Sequence, residues 1–192
     1  MAQAKELQKI GIEVKVVSDE EAEKATASKY TEEEIEEAKR HLEWEIEHFA
    51  EIDIETAIRE QKGEYYKYTD ADGQTVYVAC VEDSIGQYAL NISKGKKVNP
   101  DGFPSNVYSR REYEEGGVIG LLKDKYGKLK FDDNGNLTLE LPFKLEKATY
   151  EEATGYDSPL ARAKAETEKR RNDLTRQFNK KYGAGRLHGS FI

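Results

Sequence analysis

Two dipeptides constrain this chain more than anything else in it: Asp72-Gly73 in "TDADGQT" (69–75) and Asn134-Gly135 in "FDDNGNLTLELPF" (131–143). Both pairs are favoured in two-residue type I′ turns, where each central residue must adopt φ > 0. Strand-like runs flank them, "YYKYT" and "QTVYVACV" around the first, "KLKF" and "LTLELPF" around the second. The same loops look like fragments of a calcium site, and ligand spacing tests that idea. An EF-hand loop places oxygen ligands at its first and twelfth positions around a Gly at the sixth. With Gly135 sixth, those ends fall on Lys130 and Leu141; with Gly73 sixth, they fall on Tyr68 and Ala79. Neither loop can close on a cation. Both read as hairpin turns, and no metal or other cofactor is expected.

Elsewhere the pattern alternates between strand and helix. "IGIEVKVVS" (10–18) sets Ile12, Val14 and Val16 against Glu13 and Lys15, as in a half-buried strand. Thr31 and Glu34 have capping-box spacing, and Ala38, Leu42, Ile46 and Phe49 then recur three or four apart. An acidic amphipathic helix over 31–61 follows, stopped by Gly63, with a bend expected where "EIDIE" (51–55) breaks the period. A β meander over 64–69, 74–82 and 86–93 comes next, then a loop over 94–105 and a short helix over 118–127. Ser158 and Pro159 open a helix that ends at Gly183. This order predicts an α+β fold built on an antiparallel sheet. It divides into a domain over 1–157 and a basic helical extension over 158–192.

Of 192 residues, 35% are charged and 37% hydrophobic, and no apolar run approaches the roughly 20 residues of a membrane span. The start, "MAQAKELQKIG", lacks the apolar core of a secretory signal. A lone cysteine, Cys80, lies inside "VYVACVED" and reads as a buried apolar residue. A reducing compartment is expected, either the cytoplasm or an intracellularly assembled particle.

Catalytic patterns are sparse. Glu37, His41, Glu45 and His48 share a helix face, and Glu45-x-x-His48 matches half of a di-iron site, but no second half exists. No nucleophile elbow or phosphate-binding glycine motif occurs, so no catalytic residue is expected. Twelve tyrosines, several on the predicted strands, could stack nucleic-acid bases; cross-strand packing is the better account, since the chain lacks the sheet motif of an RNA-recognition domain and carries a net charge of −8.

Charge is the more pointed signal. The net of −8 conceals 18 carboxylates against 8 cations in residues 1–60 and 3 against 9 in residues 158–192. Arg162, Lys169, Arg170, Arg171, Arg176, Lys180 and Lys181 crowd the last helix, whose apolar stripe is thin. These cations are the candidate partner-binding residues. The expectation is a non-enzymatic assembly subunit of a multiprotein complex or a phage or virus particle, engaging a protein partner or a second copy. A nucleic-acid-binding accessory protein using the basic helix is the alternative.

Overall fold

The computed structural model describes residues 29–104 and 106–183, so the strand expected at 10–18 and the terminal tail lie outside the described residues. In chain order the elements are α1 (Glu32–Gln61), β1 (Glu64–Thr69), β2 (Thr75–Glu82), β3 (Tyr88–Lys94), β4 (Asn106–Tyr108), α2 (Arg110–Tyr126), β5 (Lys128–Phe131), β6 (Leu137–Glu140), β7 (Glu146–Lys147), α3 (Tyr150–Thr154) and α4 (Pro159–Tyr182). The fold is α+β, with a five-stranded antiparallel sheet in the order β4-β3-β2-β1-β7 and a separate β5–β6 hairpin. Among the described residues, no helix is long and apolar enough to cross a membrane.

One local device makes three turns. Asp70-Ala71-Asp72-Gly73-Gln74, Asp83-Ser84-Ile85-Gly86-Gln87 and Asp132-Asp133-Asn134-Gly135-Asn136 share an Asp, a Gly three residues on, and an amide side chain after it. In each, the Asp carboxylate accepts from two backbone amides and the Gly N–H donates to the Asp carbonyl. Within each turn positive φ falls on the glycine, Gly73, Gly86 or Gly135, and among the described residues no non-glycine residue adopts it. This corrects the type I′ expectation. The loops are three-residue turns ending in a left-handed Gly, a geometry that leaves Asp72 and Asn134 in ordinary conformations. Both candidate calcium loops thus have their first carboxylate committed to backbone amides.

The chain divides into two compact units, one spanning Phe49–Thr167 and the other joining the residues up to His48 with those from Glu168. The divisions fall within α1 and within α4. In the Phe49–Thr167 unit the sheet is covered on one face by α2, whose Val118, Leu121 and Leu122 pack on Tyr66, Tyr68, Val76, Val78, Cys80 and Leu90. Tyr65, Ala79 and Val81 line the other face with Val98 and with Ala153 of α3. Cys80 is buried as its alternating neighbours imply, and burial, helped by the nearby Glu64 carboxylate, pushes its thiol up to about 12.

In the second unit, Ile35, Leu42 and Ile46 of α1 enclose Phe178 of α4, with Leu174 and Tyr182 alongside. Rings of Tyr30 and Tyr182 lie 4.8 Å apart, so the start of α1 meets the end of α4 and the two segments run antiparallel. The thin stripe on α4 is sufficient because it faces one helix rather than a sheet. The end of α4 thus contributes Phe178 to a buried cluster.

Within α1 no break occurs at 51–55; the helix runs unbroken from Glu32 to Gln61. Inward positions 53 and 60 carry carboxylates, while Ile52, Ile54 and Ile58 point to solvent. The helical period is kept, but with polar residues inside, and that inversion is what the sequence pattern registered as a disturbance.

Candidate interaction surface

The β5–β6 hairpin is built from two short alternating runs. Leu129 lies opposite Leu139 and Phe131 opposite Leu137, and directly opposed residues share a face in an antiparallel pair. Lys128, Lys130, Thr138 and Glu140 consequently occupy the other face, where Lys130 and Glu140 pair at 3.1 Å. The sequence has sorted its side chains as for a buried sheet face. Yet Leu129 is 67% exposed, Phe131 76%, Leu137 57% and Leu139 36%.

That exposure is anomalous for this fold. A two-stranded hairpin has little stability of its own in water and needs a layer on its apolar side. The flanking chain is well anchored: Tyr126, Leu141, Phe143 and Leu145 pack against the sheet core, and Phe143 stacks on Tyr68 at 3.7 Å. At the hairpin's root Gly127 approaches Leu139 so closely that a Cβ there would come within 2.6 Å of its Cγ. The root is fixed and the face is uncovered by any described residue. Together the four side chains offer an apolar patch of about 400 Å², within the range at which exposed patches mark interaction sites.

Three carboxylates, Glu60, Asp53 and Glu64, are engaged by neighbouring side chains. Glu60 is fully buried; its carboxylate pairs with Arg162 through Nε at 3.0 Å and through Nη2, and accepts from the Tyr150 hydroxyl at 2.6 Å. The Tyr65 hydroxyl donates to the Glu60 carbonyl at 2.7 Å. Burial first, then the adjoining Glu60 charge, raises both tyrosines above the ordinary phenol range. Asp53 accepts from Thr167 at 2.8 Å. Glu64 accepts from Tyr113 at 2.6 Å, Lys147 at 2.7 Å and Tyr66 at 2.8 Å. Burial pushes the Glu64 carboxyl up, but those three donors outweigh it and hold it below the usual range. One cleft of about 230 Å³ lies beside Thr56, Arg59 and Pro100, and another of about 710 Å³, within the usual volume of small-molecule sites, lies beside Tyr77, Lys94 and Lys97.

The sequence-derived candidates separate. Arg162 is buried against Glu60 and is withdrawn from any partner-facing set. Lys169, Arg176, Lys180 and Lys181 are exposed; Arg170 and Arg171 are half-buried. Arg171 lies 3.8 Å from Glu168, and Arg176 3.5 Å from Asp173, so part of this charge is matched within α4. On α1, exposed Trp44 stands between His41 and His48, with the His48 ring stacked on it at 5.1 Å. His41 and Glu45 are 3.9 Å apart. Among the described residues no three His, Cys, Asp or Glu side chains gather around a point that could hold an ion. The strand tyrosines mostly pack: Tyr65, Tyr66 and Tyr68 are buried, and Tyr88 stacks on Tyr113 at 3.8 Å.

The hairpin face escaped a reading of motifs, although its signal is printed in the alternation of 128–131 and 137–140. Period two announces an amphipathic strand. It does not reveal that no described residue covers the apolar side. Comparison of the chain with models of protein families, with curated proteins and with solved structures finds no match.

Proposed function

We propose that this chain is a non-enzymatic protein-interaction subunit that joins a larger assembly through the apolar face of the β5–β6 hairpin. One observation carries the reading: Leu129, Phe131, Leu137 and Leu139 share a face sorted for burial and left open to solvent. Support also comes from the buried carboxylates Asp53 and Glu60, which are engaged by neighbouring side chains. A nucleic-acid-binding role for α4 has the exposed Lys169, Arg176, Lys180 and Lys181 in its favour. It is the weaker reading, because Arg162 is withdrawn and the opposite end of the same helix forms a core.

A photo-reactive residue placed at 131, on the apolar face, should capture protein inside the cells that make this chain. The same residue at 138, on the polar face, should not. Equal or absent capture at both positions defeats the reading.

A further inference from the structure

The identity of the partner can be argued further, on the premise that the hairpin is the interacting surface. We infer that the apolar face of β5–β6 is covered by the same face of a second copy, in a two-fold, isologous contact. The composition of the face is the first reason. It holds no charge, so it offers a partner no complementary ion to recognise; Lys128, Lys130 and Glu140 lie on the opposite side, with Lys130 and Glu140 already paired. A surface of this kind is its own best complement. About a two-fold axis, the Leu129–Leu139 and Phe131–Leu137 rows of one copy stack on those of the other and bury no polar side chain.

Area sets the strength. Four side chains at about 400 Å² per copy remove about 800 Å² in the pair, which with a rim around them falls short of the roughly 1,200–2,000 Å² of stable specific interfaces and belongs with weak, transient ones. The expected product is a reversible dimer that forms at micromolar rather than nanomolar concentration. A fixed hairpin root suits such a contact, since Gly127 and Leu139 are held against each other and little order has to be gained on association.

The test uses the purified full-length chain. Sedimentation should show a concentration-dependent monomer–dimer equilibrium. Phe131→Glu should weaken it by about thirtyfold or more, as for a central interface residue. Leu129→Lys should act in the same direction, and Thr138→Glu, on the polar face, should leave it unchanged. Thermal melting of each variant separates lost association from lost folding. A photo-reactive residue at 131 should give an adduct of twice the chain mass, mapped to residues 129–139 of the second copy.

Three results overturn the inference. A monomer at all concentrations, with capture at 131 only inside cells, leaves the interaction reading standing and assigns the face to another protein. An adduct mapped within one chain to residues 1–28 shows that the face is covered by the chain itself. No adduct under any condition defeats both the inference and the reading beneath it.

Discussion

Glu60 and Arg162 are separated by 102 residues and meet where both are almost sealed from water. A buried pair is weak evidence of net stability, because desolvating two ions offsets most of their attraction. Removing one partner is a different matter. Arg162→Ala leaves Glu60 buried, charged and held only by Tyr150, and is expected to cost about 3–5 kcal/mol in urea unfolding. Replacing both with apolar residues of similar size should recover most of that loss. Glu64 gives a pH signature. Its folded pKa is depressed, so its contribution is present above the unfolded carboxylate pKa and disappears as pH falls through the folded value. Glu64→Gln should therefore lower stability by about 1–2 kcal/mol at pH 7, and wild type and variant should converge in acid once the pH is below the folded value. An undiminished gap in acid would show that the loss is not electrostatic. Neither cluster could be read from the sequence. Counting cations placed Arg162 on a basic surface, since composition cannot say which acid, 102 residues away in the chain, lies opposite. Cys80 was legible because its burial follows from its own strand.

At the scale of elements, local chemistry is repeated and largely readable. Thr31–Glu34, Ser109–Glu112 and Thr149–Glu152 each form a reciprocal capping box at the start of a helix. The first is recognisable in the sequence, whereas the second and third share its spacing but precede a helix kinked at Gly117 and a helix of five residues. In α2 the period is interrupted at Gly117, where φ is +57° and the axis kinks. The Asp-x-x-Gly turns permit a sharper test. At Gly135 an added Cβ would meet nothing, so Gly135→Ala isolates the cost of a left-handed alanine, about 1–2 kcal/mol. Gly120, in α2 and equally free of neighbours, has no positive φ. Gly120→Ala should thus stabilise by about 0.5–1 kcal/mol. Opposite signs are the expectation, with the Gly135 effect seen as faster amide exchange across β5 and β6. A stabilising Gly135→Ala would mean that this turn does not hold the left-handed geometry.

For the whole molecule, what matters is where α4 belongs. Its charge and sparse apolar positions suggested a detachable arm, and removal of 158–192 would then spare the fold. The structure points the other way. One end of α4 supplies Arg162 and Ala163 to the Phe49–Thr167 unit, and the other supplies Phe178 to the core that holds Ile35, Leu42 and Ile46. Deleting residues 158–192 would strand Glu60, at about 3–5 kcal/mol. Stripping Phe178 from its cluster would cost about another 3–5 kcal/mol. Together these losses approach the roughly 5–15 kcal/mol that holds an average domain folded. The truncated chain is therefore expected to lose its cooperative thermal transition, followed by circular dichroism, at temperatures where the intact chain still melts sharply. Phe178→Ala alone should keep the transition but lower its midpoint, and should speed amide exchange along the first turns of α1. If the truncated chain instead melts cooperatively and near the wild-type midpoint, α4 is an appendage after all, and its exposed cations regain first place as the surface that meets a partner.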